Sequence, residues 1–446
     1  MSSILIKNST IINENSQKIS DVLIKGSRIE KISDDITVDY NCKIIDGEGL
    51  YLIPGLIDDQ VHFREPGLTH KAEIYTESMA AVAGGVTSYM EMPNTIPNAT
   101  NLNELEKKYS IAKNKSFANY SFYIGATNNN LGEVLKIDKK KVCGIKIFMG
   151  SSTGNMLVNN DQALKDIFKH SEIIIATHCE DENTINENLK IAVKKYGHNI
   201  PIEQHPTIRS REACYKSSSK AIDLAKEYDS KLHVLHISTL EELDLFDNNM
   251  PLENKKITSE ACLHHLWFDE KDYKTLGNLI KWNPAIKTSN DRAAVLEGVK
   301  NNAIDVIATD HAPHTMQEKL NSYQDCPAGG PLIQHSLPLL LEMYHNNSID
   351  LETIVTKTSH NPSILFDIKE RGFIREDYFA DLVLFDLNSS WKVSESKLYS
   401  KCNWTPLKNE MFKSKIIHTI VSGNHVLENG IINQNPNSKR LTFERD

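Results

Sequence analysis

Along the middle of the chain, short apolar runs repeatedly break off at a residue able to bind a metal. YLIPGLIDDQV precedes His62, EIIIAT precedes His178, KLHVL precedes His236 and IDVIAT precedes Asp310. CGIKIF carries Lys146 in a fifth such run. Short apolar runs bounded by turn residues predict buried strands. Between them lie helix-like stretches at 71–83, 103–114, 161–169, 209–228, 290–301 and 333–345. Strand ends are expected near His62, Asn94, Ala126, Phe148, His178, His236, Ala261 and Asp310. Eight ends match a closed (β/α)8 TIM-like barrel, in which the carboxyl ends of the strands gather at one mouth. The fold class expected for residues 52–365 is therefore α/β.

The flanks read differently. ILIKNSTIIN, ISDVLIKGSRIEKIS and CKIIDGEGL alternate apolar and polar positions between Gly, Asn and Asp, and the same texture returns in ADLVLFDL and KIIHTIVSGNHVLENGII. This predicts antiparallel strands, so residues 1–51 and 366–446 are expected to pair into one small β-sandwich built from both termini.

Composition narrows the partners. A net charge of −9 over 446 residues, without long acidic or basic blocks, gives no reason to expect nucleic acid or membrane lipid and favours a small-molecule substrate. No run approaches the roughly 18 apolar residues of a membrane span, and the first residues lack a signal peptide's apolar core, so a cytoplasmic protein is expected. Seven cysteines without a Cys-x-x-Cys pair argue against a disulfide framework and a zinc-thiolate centre. The seventeen histidines direct attention to a metal site of imidazole and carboxylate.

Gln60 and His62 are two residues apart on a strand and share a face, with Asp58 in the same set. Arg64 leaves that strand just before a Pro-Gly turn, where its guanidinium could grip a carboxylate or simply pair with Glu65. Asn94, held after Pro93, could contact substrate or cap a helix. Lys146 lies among apolar neighbours. Burial lowers a lysine's pKa, and the neutral amine can take up carbon dioxide to become an anionic carbamate ligand; snorkelling to the surface is the alternative. His178 and His236 are candidate zinc ligands. Strand alternation allows only one of His233 and His236 to face inward, and His236 is nearer the strand end. Cys179 is read as packing. Asp310 could bind a metal and act as general base in metal-assisted hydrolysis, with His314 placed to meet substrate.

The strings PGLIDDQVHFREPG, MPNT, GIKIF, THCED, HVLHIST, WNPAIK and IATDHAPH, in this order, closely resemble the dihydroorotases of the amidohydrolase superfamily, over nearly the whole chain. The resemblance implies reversible hydrolysis of the cyclic amide of dihydroorotate to N-carbamoyl-L-aspartate, in pyrimidine (UMP) biosynthesis. It implies one or two zinc ions, two favoured: His62 and Asp310 on the first, His178 and His236 on the second, and carboxylated Lys146 bridging them. Arg64, Asn94 and His314 would bind the substrate carboxylate, with Asn283, Ala328 and Gly329 closing around the ring. The family's His-x-His reads Gln60-Val61-His62 here, and a neutral amide is a poorer zinc ligand than imidazole. Two alternatives follow: an allantoinase- or hydantoinase-like cyclic amidohydrolase, or a non-catalytic scaffold associated with aspartate transcarbamoylase. The sequence leaves a homodimer open.

Overall fold

The computed structural model describes residues 3–39, 41–150, 156–394, 397–433 and 435–445. Eight strand positions form the barrel, each pair parallel. The first is Leu56–Val61, the second Val86–Glu91, and the third Asn119–Phe122 continued as Ile124–Gly125. Ile145–Phe148, Ile175–His178, Leu232–Val234, Ile257–Cys262 and Val306–Ala308 complete it. The first three strands hydrogen-bond in order, as do the remaining six segments from Ile124–Gly125 onward. The ring closes where Val61 bridges His311 and the His62 amide donates to His311 O at 2.8 Å.

The strands are buried on both faces, which is why they read as unbroken apolar runs rather than as alternation. Their outer faces pack on helices Ile74–Ala83, Leu102–Lys115, Asp161–His170, Arg211–Tyr228, Ser289–Lys300 and Ser336–His345. One helix, Glu182–Tyr196, is absent from the predicted set. Ile185 and Ala192 are its only buried residues, so it has little apolar stripe to detect. Its start was nonetheless marked: Asp181 accepts from the Thr184 amide as an N-cap.

Both termini contribute to a single nine-stranded sheet. Tyr51–Pro54 pairs in parallel with Ser3–Asn13 and antiparallel with Leu382–Asp386, and so joins the N-terminal strands to the C-terminal ones. The tail turns back under the barrel, where Leu441 and Phe443 pack with Tyr123, Val306 and Phe366 in one apolar cluster. That plug seals the amino ends of the strands and leaves the carboxyl ends as the open mouth. Among the described residues, no helix is long and apolar enough to cross a membrane.

Candidate active site

A cavity of about 210 Å³ lies at this mouth, lined by Gln60, His62, Arg64, Asn94, Lys146, Phe148, His178, His236, Trp282, Asn283, Asp310, Ala312, His314, Pro327, Ala328 and Gly329. Every residue singled out from the sequence for metal or substrate is among them. Three of these depart from ordinary backbone: Arg64, His236 and Asp310 have φ of 69°, 44° and 45°. Side-chain-bearing residues rarely occupy the left-handed region, and such strain concentrates where a side chain must be aimed.

The strain at His236 corrects one expectation. His233 and His236 both enter the interior. The strand ends at Val234, and the left-handed turn at His236 swings its ring back over the mouth. His233 stays on the strand, buried beside Asp59 and Glu260. A second correction concerns Asp58, which does not share the face of Gln60 and His62. The register of the first strand shifts between Asp58 and Val61, so this bulge breaks the two-residue alternation. Asp58 instead accepts the Thr309 hydroxyl at 2.5 Å, and Asp59 takes the inward position. Burial, with Asp59 nearby, raises Asp58 to about 7.

Two pairs of facing groups define the centre. His62 Nδ1 lies 2.8 Å from Asn94 Oδ1, and its Nε2 lies 3.2 Å from Asp310 Oδ1. With Nδ1 donating to the amide oxygen, a neutral ring turns a lone pair toward a carboxylate. Asn94 therefore orients His62; the helix it was weighed against as a cap is capped by Asn101. On the other side, His178 Nδ1 lies 2.9 Å from His236 Nε2. His178 Nε2 is 2.9 Å from Glu180 Oε2, which also pairs with Arg209. A carboxylate behind a histidine fixes which ring nitrogen keeps its proton and leaves the other free to ligate. Burial outweighs Asp310 and Glu180 and holds both His62 and His178 below the usual imidazole value; burial and His178 push His236 lower still. All three shifts favour the neutral ring, the state metal ligation needs. The buried His236 Nδ1 has no hydrogen-bond partner among the described residues.

Lys146 is 1% exposed, so it does not snorkel. Its Nζ lies 4.8 Å from the centre of the Phe148 ring, and burial lowers it to about 8. Imidazoles in lone-pair apposition, a carboxylate and a desolvated amine make a donor set that fits a divalent metal. Gln60 lines the same floor, with its Oε1 3.6 Å from the Cys262 sulfur. Cys179 packs in the core beside Thr177, and burial raises its thiol to about 12.

The rim is cationic. Arg64 donates from Nε to Pro313 O at 3.1 Å, and its Nη2 lies 3.0 Å from His314 Nε2. The competing Arg64–Glu65 pairing gives way to another: Glu65 binds Lys115 at 2.5 Å and the Ile74 amide at 3.0 Å. Lys71 Nζ approaches His314 Nδ1 at 3.1 Å and Glu318 at 2.9 Å. Burial, with Arg64 and Lys71 adding to it, holds His314 well below the imidazole range. The neighbouring loop is pinned by Lys319, whose ammonium donates to Pro327 O at 3.0 Å and Gly329 O at 2.8 Å. Gly329 has φ 120°, and a Cβ there would meet Ala312 O at 2.5 Å, so this approach admits only glycine.

Glu180, Arg209 and Lys319 were not singled out from the sequence. Glu180 had a signal, since it stands two residues after His178 in THCED.

The chain matches the model of the amidohydrolase family over residues 51–426. It is 32% identical over 419 residues to a dihydroorotase of Methanosarcina acetivorans, covering 92% of this chain and 88% of that one. A dihydroorotase of Pyrococcus abyssi is 31% identical, with 95% of each covered. Among solved structures, an L-hydantoinase from Arthrobacter aurescens superposes with a TM-score of 0.93 at 24% identity, covering 99% of this chain and 100% of that one. A D-hydantoinase from Thermus sp. gives 0.88 at 21% identity, with 98% of each covered. At those identities the structural likeness speaks for the fold.

Proposed function

This chain belongs to the amidohydrolase family and is a cyclic amide hydrolase, and from that premise we propose that its substrate is dihydroorotate, opened reversibly to N-carbamoyl-L-aspartate. The observation that carries the choice of substrate is the Arg64–His314 pair at the rim. A guanidinium held beside a neutral imidazole and Lys71 suits a ring that bears a carboxylate, which hydantoin and allantoin lack.

We assign His62, His178, His236, Asp310 and a carboxylated Lys146 to hold one or two zinc ions, with Gln60 as a weaker amide donor; such ions supply Lewis-acid polarisation and lower the pKa of water. The chain's own residues do the rest. Arg64, Asn94 and His314 orient the substrate carboxylate, while Asn283 and the Ala328-Gly329 backbone close over the ring. Asp310 takes a proton from the attacking water as oxygen adds to the ring carbonyl carbon. It returns that proton to the ring nitrogen as the C–N bond breaks, so atoms and charge balance. Glu180 and Arg209 act through His178 by fixing its ring. The free thiols of all seven cysteines support a cytoplasmic setting for this chemistry.

The test is a substrate panel on protein prepared with zinc and bicarbonate. Turnover of dihydroorotate should exceed that of hydantoin, dihydrouracil and allantoin. Faster turnover of allantoin or hydantoin would overturn the assignment of substrate, and no turnover of any of them by metal-loaded protein would favour the scaffold reading.

A further inference from the structure

Deeper in the barrel than Gln60, three side chains meet that the proposed chemistry does not use. Asp59 comes from the first strand, His233 from the sixth and Glu260 from the seventh. The first strand pairs with the second and with the His311 segment, not with the sixth. Contact between Asp59 and His233 therefore spans the barrel interior. All three residues are 0% exposed, and their donor atoms lie within 4.8 Å of one another.

The proton arrangement can be worked out from the surroundings. The Thr258 hydroxyl donates to Leu232 O at 3.1 Å, so its oxygen accepts from His233 Nδ1, 2.9 Å away. In the tautomer with its proton on Nδ1, His233 points the Nε2 lone pair inward. Nε2 lies 3.1 Å from Asp59 Oδ2 and 3.9 Å from Glu260 Oε2. Glu260 Oε1 is already engaged by the His236 amide and the Cys262 thiol, each at 3.1 Å. Glu260 Oε2, both Asp59 carboxylate oxygens and His233 Nε2 have no hydrogen bond of good geometry among the described residues.

Acceptors gathered face to face away from water require positive charge between them. A proton on Nε2 would reach Asp59 at a poor angle and leave Glu260 Oε2 unmatched. A divalent ion would serve all three, and its charge would balance the two carboxylates. The spacing suits it: donors about 2.1 Å from a tetrahedral ion stand roughly 3.4 Å apart, between the two separations observed. One imidazole nitrogen and two carboxylate oxygens are a donor set for zinc or a similar borderline ion rather than for calcium.

We propose that Asp59, His233 and Glu260 form a second, structural cation site in the barrel core, separate from the metal centre at the mouth. It ties together the strands that lead to His62, His236 and Cys262. Through Glu260 it also fixes the backbone of His236, whose left-handed turn aims its ring.

The deciding experiment is anomalous diffraction from full-length protein crystals supplied with zinc, with data on both sides of the zinc edge. A peak between the three side chains is expected, resolved from any peak at the mouth. Metal analysis of Asp59→Asn and His233→Phe should then find one fewer equivalent per chain than the unmutated protein, with the mouth peak retained. If the zinc-supplied unmutated crystals show no peak at this cluster and His233 simply hydrogen-bonds Asp59, the group shares a proton and the proposal fails. The unmutated crystal decides even if both variants fail to fold. Because the two peaks are spatially distinct, a signal at the mouth alone would sink this site without touching the proposed hydrolase.

Discussion

Arg64 Nη2 lies 3.0 Å from His314 Nε2, so the loops leaving the first and last barrel strands meet at a single guanidinium. The contact spans 250 residues of sequence and is maintained by a left-handed backbone at Arg64 and by the Trp404 indole, which donates to His314 O at 2.7 Å. Position and direction of the guanidinium are thus fixed before any substrate arrives.

It follows that Arg64→Ala should lower kcat/KM for dihydroorotate roughly 10- to 150-fold, as expected from losing about 1.5–3 kcal/mol of charge-assisted hydrogen bonding. Arg64→Lys should recover little, because an ammonium lacks the planar fork. Steady-state kinetics on both variants checks this, and unchanged constants in Arg64→Ala would remove Arg64 from the site.

Asp310→Asn should reduce kcat by roughly 10²- to 10⁴-fold, the range for a lost general base, with a smaller change in KM because the rim is untouched. A KM effect larger than the kcat effect would mean that Asp310 serves binding rather than proton transfer.

How much of this was readable beforehand depends on whether a residue's role is local. His62, His178, His236 and Asp310 were visible because each ends an apolar run, and a parallel barrel turns that one-dimensional cue into convergence in space. Glu65 could not be assigned in advance, because its partner Lys115 is fifty residues away. Alternation misplaced Asp58 and His233 for a related reason. It holds only while the strand stays regular, whereas the first strand bulges at Asp58 and the sixth ends two residues before His236. The strained geometry that builds the site is what defeats the simple rule there.

Behind His178, burial pushes Glu180 up, but Arg209 and His178 outweigh it and hold the carboxyl down to about 2, against an ordinary value of 4.5. The sign is that of a depressed acid: the stabilisation is fully present above about 4.5 and is lost as pH falls toward 2. Arg209→Met removes the main opposing charge and leaves a buried carboxylate short of a partner, at a cost of about 3–5 kcal/mol. Circular dichroism during acid titration should show the variant unfolding at a higher pH than the unmutated protein. Coincident curves would mean that His178 alone holds the charge.

The remaining prediction concerns Gln60, which lines the mouth beside His62 with its Oε1 3.6 Å from the Cys262 sulfur. A neutral amide oxygen binds zinc less well than imidazole, so the ion shared by His62 and Asp310 should be the more easily lost of the proposed pair. Dialysis against a graded chelator should strip the two ions at the mouth in separate steps, the first taking most of the activity. Gln60→His should shift that first step to higher chelator concentration. The floor beside it is a soft thiol that burial and Glu260 hold well above its usual pKa, so the incoming imidazole would meet no opposing cation there. If Gln60→His releases metal at the same chelator concentration as the unmutated protein, position 60 does not reach the ion, and His62 and Asp310 hold it without help from that side chain.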